Sequence, residues 1–357
     1  MDKIRIVVVD DSAFMRKAIS DMIESEKSFE VVAKLRDGRE LIEKVEDINP
    51  DLITLDVHMR DLDGLATLKE LKRMGKNYPI IMLSSATTEG SEITLECLDN
   101  GAITFINKPS GSISLDIDKI QERLIDEIKS ITANVKRVKK TSQITTRDNV
   151  KTSINREAEK TNISIPKNKK IDAVVIGAST GGPKALQEVL TKLPGNLGVP
   201  VLVVQHMPEG FTKVFAERLD KICNLKVVEA ADGIHIEKNT IYIAKGGLHM
   251  KVNNGKNINL DNDPAIWGVR PAVDKLFDSA IRVYGANLLS VILTGMGRDG
   301  ADGTKNIKDN GGITISEDKS TCTIYGMPKA AYETGKVDLV VPLNKIAEKI
   351  IEIVQGR

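Results

Sequence analysis

Short apolar runs alternate with amphipathic stretches through the first third of the chain, and this alternation severely limits the possible folds. The runs are IRIVVV, FEVVA, DLITLD, PIIML and AITFI, and stretches with a helical spacing of apolar residues separate them. Continuous apolar runs of this length, alternating with helices, are typical of parallel strands covered on both faces. The sequence therefore predicts a doubly wound α/β domain with the flavodoxin-like strand order 2-1-3-4-5 over residues 1–125.

Acidic residues stand at the ends of two of these runs, where a parallel sheet of this order binds its ligands. Asp10 and Asp11 follow the first run, and Asp56 ends the third. Three carboxylates at one edge repel each other unless a cation neutralises them, and Mg²⁺ prefers oxygen ligands. Ser84 ends the fourth strand and Lys108 the fifth, which adds a hydroxyl and an ammonium group at the same edge. Such a set is suited to receiving a phosphoryl group on an aspartate.

The motifs VVVDDS, LDVHM, LSS and INKP resemble those of the response-regulator receiver family. This resemblance implies that Asp56 is the phosphorylated residue. It also implies two groups of supporting residues, namely the Mg²⁺ ligands Asp10, Asp11 and Asp56, and the switch and phosphate-contact residues Ser84, Phe105 and Lys108.

A basic segment with few apolar residues separates this part from the rest of the chain. Between residues 132 and 170, eleven Lys and Arg residues stand against three acidic residues, and no glycine or aromatic residue is present. Such a segment cannot bury enough apolar surface to offset the entropy lost on ordering. We therefore predict a flexible linker over residues 126–168 and a second domain over residues 169–357.

Composition excludes several other classes of protein. No apolar run approaches the roughly 18 residues that a membrane-spanning helix needs, and no signal peptide is recognisable at the N-terminus. Three widely spaced cysteines are too few for a disulfide framework. The basic segment has neither aromatic interleaving nor a DNA-reading motif. We expect a cytoplasmic protein with reduced thiols, without direct membrane insertion and without a nucleic-acid partner.

The segment GASTGGPKAL, residues 177–186, follows the apolar run IDAVVI and leads into a helix. It is compatible with a phosphate-binding loop, a nucleophile on a sharp turn, or a simple connection. A dinucleotide-binding loop would need an acidic residue at the end of the next strand, VPVLVVQ, which instead ends at Gln205 and His206. The first five residues match the pattern G-x-S-x-G, in which glycines expose a serine hydroxyl at the end of a strand. Ser179 is therefore the candidate nucleophile.

A serine nucleophile needs a base, and the base needs an orienting carboxylate. Of the four histidines, His206 is the best placed, because it ends a buried parallel strand at the same sheet edge as Ser179. A further apolar run over residues 288–293 leads into the turn TGMGRDGADG, which carries Asp299 and Asp302. Asp299 lies nearer to the strand end and is the candidate carboxylate. A metal-binding loop is the alternative interpretation of this turn.

The motifs GASTGG, QHMPEGFTKVFAERLD, GVRPAVDKLFDSA and ILTGMGRDGADG resemble the chemotaxis protein-glutamate methylesterase (CheB) family. With the receiver-like part in front, the resemblance covers nearly the whole chain apart from the linker. It implies a Rossmann-like α/β catalytic domain with a triad of Ser179, His206 and Asp299. It further implies that the Met296 backbone N–H helps to form an oxyanion hole and that Thr180 orients the site.

The same resemblance implies the activity and its partners. Members of this family hydrolyse glutamate methyl esters and deamidate some glutamines on chemoreceptors, the methyl-accepting chemotaxis proteins, and a chemotaxis histidine kinase supplies the phosphoryl group. Mg²⁺ would serve the phosphorylation, and no cofactor would serve the ester chemistry. Two other classes fit less well. A DNA-binding response regulator would need a recognition-helix module, and a nucleotide-binding regulatory protein would need the missing ribose-binding acid.

Overall fold

The computed structural model describes residues 3–84, 88–108, 117–144 and 169–356. The chain divides into two compact units, Met1–Asn149 and Val150–Arg357. Residues 145–168, which form most of the predicted linker, lie outside the described residues. Within the described ranges, no helix is both long enough and apolar enough to cross a membrane.

The first unit is a parallel five-stranded sheet with strand order β2-β1-β3-β4-β5, so the predicted order 2-1-3-4-5 is confirmed. Its strands are β1 Ile4–Val9, β2 Phe29–Leu35, β3 Leu52–Asp56, β4 Ile80–Ser84 and β5 Thr104–Asn107. Its helices are α1 Ala13–Glu24, α2 Gly38–Ile48, α3 Gly64–Arg73, α4 Thr88–Asp99 and α5 Ile117–Ile144. Each predicted apolar run forms a strand. The central strands β1, β3 and β4 bury most of their side chains between the two helical layers, whereas the edge strand β2 buries only Phe29 and Leu35.

Polar side chains fix where the helices of this unit begin. Ser12, Asp37 and Asp63 precede α1, α2 and α3, and each side chain accepts a hydrogen bond from a backbone N–H of the first turn. Since Ser12 performs this role at α1, the preceding acids Asp10 and Asp11 do not cap the helix. Their carboxylates are left for other functions at the end of β1.

Helix α5 continues beyond residue 125, where the sequence prediction ended the first domain. Leu124, Ile128 and Ile131 are all buried, and their spacing of three to four residues places them on one face of the helix. Burial of this apolar face holds the helix against the first unit past the predicted boundary. The described part of the predicted linker is therefore helical as far as Ile144.

The second unit is a seven-stranded sheet with strand order β14-β13-β12-β6-β7-β9-β8, and its neighbouring strands pair in parallel. Its strands are β6 Ala173–Ala178, β7 Val201–Gln205, β8 Lys226–Glu229, β9 Thr240–Ile243, β12 Leu288–Ile292, β13 Ile313–Glu317 and β14 Leu339–Val341. An antiparallel hairpin of β10 His249–Val252 and β11 Ile258–Asp261 lies outside this sheet. The helices are α6 Gly182–Leu190, α7 Phe211–Asp220, α8 Val273–Tyr284, α9 Ala301–Asp309, α10 Met327–Glu333 and α11 Leu343–Gln355.

The strand order of the second unit reverses at β6. Strand β7 follows β6 in the chain and pairs on one side of it, whereas β12 pairs on the other side. In an open parallel sheet, the crevice at the carboxyl ends of the strands where the order reverses is the usual ligand-binding position. The Rossmann-like fold predicted from the sequence thus places the end of β6, and the loop that follows it, at this position.

Candidate functional site

The ends of β6, β7 and β12 bring the predicted serine and histidine to one edge of the second sheet. Ser179 directly follows β6, and His206 directly follows β7. The His206 backbone N–H donates to the Ala178 carbonyl at 3.1 Å, and the Ser179 N–H donates to the Thr294 carbonyl, just beyond β12, at 3.0 Å. These bonds hold the serine between the ends of its two neighbouring strands.

His206 and Asp299 are in direct contact, with 2.8 Å between His206 Nε2 and Asp299 Oδ2. Both side chains are nearly shielded from water, at 9% and 2% exposure. The start of α8 supplies two further donors, because the Val273 N–H lies 2.6 Å from Asp299 Oδ2 and the Asp274 N–H lies 2.9 Å from Oδ1. A helix N-terminus favours negative charge, so the fold holds this carboxylate in a fixed orientation.

The electrostatics of Asp299 keep it ionised. Burial acts to raise the pKa of Asp299, but the hydrogen bond and charge of His206, together with the two backbone donors, hold that pKa below its usual value. The neighbouring Asp274 behaves in the opposite way, since burial and then the charge of Asp299 raise its pKa to about 7. A negative Asp299 beside His206 can stabilise a positively charged imidazole ring.

Asp302, the other acid in the same turn, lies elsewhere. It is exposed and forms an ion pair at 3.0 Å with Arg298, four residues earlier in the chain. Exposed pairs of this kind contribute little to stability. Of the two acids weighed from the sequence, Asp299 is the one that the structure places against His206.

The turn that carries Ser179 depends on glycine. Gly181 has a φ of +76°, which only glycine adopts without strain, and it precedes the first turn of α6. Thr180 is buried, and its carbonyl accepts a hydrogen bond from Thr294 Oγ1 at 3.0 Å. Ser179 itself is half-buried, so its hydroxyl stands at the edge of the sheet rather than within the core.

Gly295, which precedes Met296, lies close to Ser179. A Cβ added to Gly295 would lie only 2.8 Å from Ser179 Cβ, which shows how closely this backbone approaches the serine. Among the described residues, the Met296 backbone N–H has no hydrogen-bond acceptor. An N–H without an internal acceptor, on the loop that approaches the serine, is available to serve as an oxyanion-hole donor.

The sequence interpretation did not identify three polar residues that support this edge. Gln205 Nε2 donates to the carbonyls of Ser179, at 3.0 Å, and of His206, at 3.2 Å. The Thr294 N–H donates to Glu317 Oε2 at 2.7 Å. Gln205 ends the apolar run VPVLVVQ, and this position was the available signal, whereas the strand ITISE, which Glu317 ends, alternates apolar and polar residues.

The acidic residues of the first unit also come together. Carboxylate oxygens of Asp10, Asp11 and Asp56 all lie within 4.8 Å of one another. Lys108 Nζ lies 2.7 Å from Asp10 Oδ2 and 2.7 Å from Asp56 Oδ2. Burial raises the pKa of Asp56, and the Lys108 charge opposes this effect. One lysine cannot neutralise three carboxylates, and this oxygen donor set fits Mg²⁺.

The remaining predicted residues of the first unit lie at the same sheet edge. Ser84 ends β4 and is buried, with its Oγ 2.6 Å from Thr94 Oγ1 of α4. The Lys108 backbone N–H donates to the Ser84 carbonyl at 2.8 Å. Phe105 is buried in β5, paired in register with Met82 of β4.

The fold and these two sites define a class of protein, a two-domain α/β enzyme in which a receiver domain precedes a hydrolase domain. The first unit matches the response regulator receiver domain family over residues 6–118, and the second matches the CheB methylesterase family over residues 174–350. The chain is 48% identical to the protein-glutamate methylesterase/protein-glutamine glutaminase of Clostridium acetobutylicum, over 100% of this chain and 99% of that protein.

Two further relatives agree with this assignment. The protein of the same description from Pyrococcus abyssi is 44% identical over 99% of this chain and 94% of its own length. The crystal structure of the Thermotoga maritima CheB methylesterase catalytic domain is 48% identical, with a TM-score of 0.50, and the match covers 52% of this chain and 100% of that one. The chain belongs to the CheB methylesterase family.

Proposed function

We propose that this protein is a phosphorylation-activated serine hydrolase that demethylates glutamate methyl esters on chemotaxis receptors. The products are glutamate and methanol, and the same site deamidates certain receptor glutamines with release of ammonia. The observation that carries the proposal is the 2.8 Å contact between His206 and Asp299, beside the strand end that bears Ser179. The methyl-accepting chemotaxis proteins are the substrate, and a chemotaxis histidine kinase is the phosphodonor.

The reaction begins with attack of Ser179 Oγ on the γ-carbonyl carbon of the methylated glutamate. His206 takes the hydroxyl proton as general base. Because Nε2 of His206 contacts Asp299, Nδ1 is the ring nitrogen left to accept this proton. The ionised Asp299 then stabilises the imidazolium ion and keeps the ring in the correct orientation.

Attack of the serine places negative charge on the substrate oxygen, which the free Met296 N–H is suited to bind. One donor of this kind contributes about 3–4 kcal/mol to lowering the barrier in comparable sites. His206 returns its proton to the leaving methanol, or to ammonia when the substrate is a glutamine. Water activated by His206 then hydrolyses the acyl-enzyme on Ser179. Thr180 assists by holding the serine turn through its bond to Thr294.

One supporting prediction concerns Gly295. In Gly295→Ala, the new methyl group would lie 2.8 Å from Ser179 Cβ and 2.4 Å from Met327 Sδ, so the loop and the serine must separate. We expect the rate of methanol release to fall about 100-fold, since displacements of around 1 Å at a reacting group have effects of this size. Gly255→Ala, in the β10–β11 hairpin with no atom closer than 3.3 Å, is the control. Equal activity of the two variants would contradict the proposed proximity.

Regulation acts through the first unit, where Asp56 receives the phosphoryl group from the kinase. Asp10, Asp11 and Asp56 would hold Mg²⁺, which when bound neutralises charge on the phosphoryl oxygens. Lys108 contacts the same oxygens. The added charge of nearly two units draws Ser84 of β4 and Phe105 of β5 into a new arrangement, and this change activates the enzyme.

Asp56→Asn is expected to keep the basal rate of methanol release and to lose all stimulation by a small phosphodonor. The amide that replaces the carboxylate cannot form the acyl phosphate, while the catalytic residues are untouched. Asp61→Asn, an exposed acid on the same loop, is the matched control and should respond like the wild type. Stimulation that survives in Asp56→Asn would show that another residue is phosphorylated.

A serine-reactive fluorophosphonate probe tests the hydrolase assignment against its main rival. We expect the probe to label Ser179, with peptide mapping as the measurement, and expect no label in His206→Ala. A DNA-binding response regulator would instead show no labelling and would bind duplex DNA in a salt-sensitive way.

A further inference from the structure

Glu317 is a buried carboxylate that the proposed reaction does not use. It ends β13 and is 0% exposed. Its Oε2 accepts the Thr294 N–H at 2.7 Å, and its Oε1 accepts the Thr321 hydroxyl at 3.0 Å. A buried carboxylate is costly unless donors compensate it, and retaining one at the edge of a site calls for a reason.

We propose that Glu317 is a positioning residue for the ester hydrolysis, acting through Thr294 on the turn that carries Ser179. The inference rests on the proposed function. Glu317 touches neither the substrate nor the reacting atoms, and its effect is to hold the backbone at position 294.

Thr294 ties the backbone on both sides of the nucleophile. Its carbonyl accepts the Ser179 N–H at 3.0 Å, and its hydroxyl donates to the Thr180 carbonyl at 3.0 Å. The Thr294 hydroxyl in turn accepts the Ile324 N–H at 2.9 Å. Together with Gln205, which donates to the Ser179 carbonyl, Thr294 therefore helps to orient the serine turn.

Thr294 lies just beyond the pairing of β12 with β13. The register between β12 and β13 runs to the pair Ile292 and Ser316, and the Thr294 N–H lies beyond it. The Glu317 side chain accepts the Thr294 N–H, a donor that would bond to a backbone carbonyl of β13 if the strand pairing continued.

The hydrogen bond between Thr294 and Glu317 also affects the position of the candidate oxyanion donor, the Met296 N–H. Gly295 and Met296 follow Thr294 directly, and Gly295 approaches Ser179 closely. Loss of the Glu317 contact would thus alter the distance between the nucleophile and the donor. A change of this kind slows the chemical step without changing the surface that the receptor contacts.

Three substitutions at position 317 separate the effect of side-chain length from the effect of charge. Glu317→Gln keeps an oxygen at the same reach but removes the charge, and the Thr321 hydroxyl can turn to the Asp318 carbonyl, which lies 3.2 Å away. Glu317→Asp keeps the charge but shortens the reach. Glu317→Met removes the acceptor altogether. We expect Gln to retain the wild-type kcat and expect Asp and Met to lower kcat roughly 30- to 100-fold with KM unchanged.

Asp338 provides a matched control in the same sheet. It is a buried carboxylate that accepts the backbone N–H of Thr314 at 3.0 Å and its hydroxyl at 3.2 Å. Thr314 lies near the start of β13, whereas Glu317 ends that strand. The contact between Asp338 and Thr314 is therefore near the amino-terminal end of β13, away from the strand ends that carry the proposed site. Asp338→Ala is expected to lower the melting temperature and to leave kcat unchanged.

The experiment uses the full-length chain and three measurements on each variant: methanol release from methylated receptor membranes, the rate of fluorophosphonate labelling at Ser179, and thermal unfolding. Support requires a loss of kcat and of labelling rate in Glu317→Asp and Glu317→Met, with rescue in Glu317→Gln. If Glu317→Met does not fold, the comparison of Asp with Gln decides.

Three results would overturn the inference. The first is a kcat equal to that of the wild type in Glu317→Asp and Glu317→Met. The second is an equal loss of kcat in Glu317→Gln and Glu317→Asp. The third is an equal loss of kcat in Asp338→Ala, which would make the effect one of general stability. If the wild type releases no methanol, the proposed function fails, and the order of labelling rates still decides the role of Glu317.

Discussion

Ser179→Ala is expected to reduce methanol release from methylated receptors to background, a loss of about 10³-fold or more, because no acyl-enzyme can form without the hydroxyl. The substitution removes one oxygen from a half-buried position and no apolar volume from the core, so the protein should remain folded. His206→Ala should lower the rate of methanol release by about the same factor, since members of a triad act as a unit. Activity is measured as methanol released, and folding by thermal unfolding.

Ser290→Ala is the control for this substitution. Ser290 lies on the neighbouring strand β12, is buried, and its hydroxyl has no hydrogen-bond partner among the described residues. Its loss should leave the rate unchanged. Release of more than a few per cent of the wild-type methanol by folded Ser179→Ala would mean that the nucleophile is another residue.

Asp299→Asn is the second substitution with a large expected effect, a loss on the order of 10⁴-fold by analogy with other triads. The two backbone donors of α8 and His206 Nε2 all require acceptors on this side chain. An amide offers one oxygen and directs its NH₂ group at one of these donors. The histidine is then held in the wrong tautomer and loses the charge that stabilises its protonated form.

Asp302→Asn tests whether the correct acid has been assigned. Asp302 is exposed and pairs only with Arg298 among the described residues, so its conversion should change the rate little. Rates of methanol release for the two variants, measured side by side, decide the assignment. A larger loss in Asp302→Asn than in Asp299→Asn would show that the catalytic carboxylate had been misplaced.

Much of the fold could be predicted because strands buried on both faces leave a simple pattern in the sequence. The run IRIVVV is apolar at every position but one and became a strand, and the shorter run LITLD became a strand that is buried along its whole length. Parallel topology then brings the carboxyl ends of the strands to one edge. This rule is why Asp10 and Asp56, forty-six residues apart, could be placed together from the amino-acid sequence alone.

The supporting contacts could not be predicted, because they depend on how distant elements pack. The α8 N-terminus that holds Asp299 lies about 25 residues earlier in the chain, and no local pattern links the two. The bond from Thr294 to Glu317 depends on the register of β12 and β13. The extension of α5 past residue 125 depends on the burial of Ile128 and Ile131, and the local sequence does not show which surface buries them.

The most direct test of the account is methanol release from methylated receptor membranes by the purified full-length protein, with and without a small phosphodonor and Mg²⁺. We expect release that depends on Ser179, that rises when the phosphodonor is added, and that stays at the basal rate in Asp56→Asn. Release no greater than that of Ser179→Ala under both conditions would contradict it.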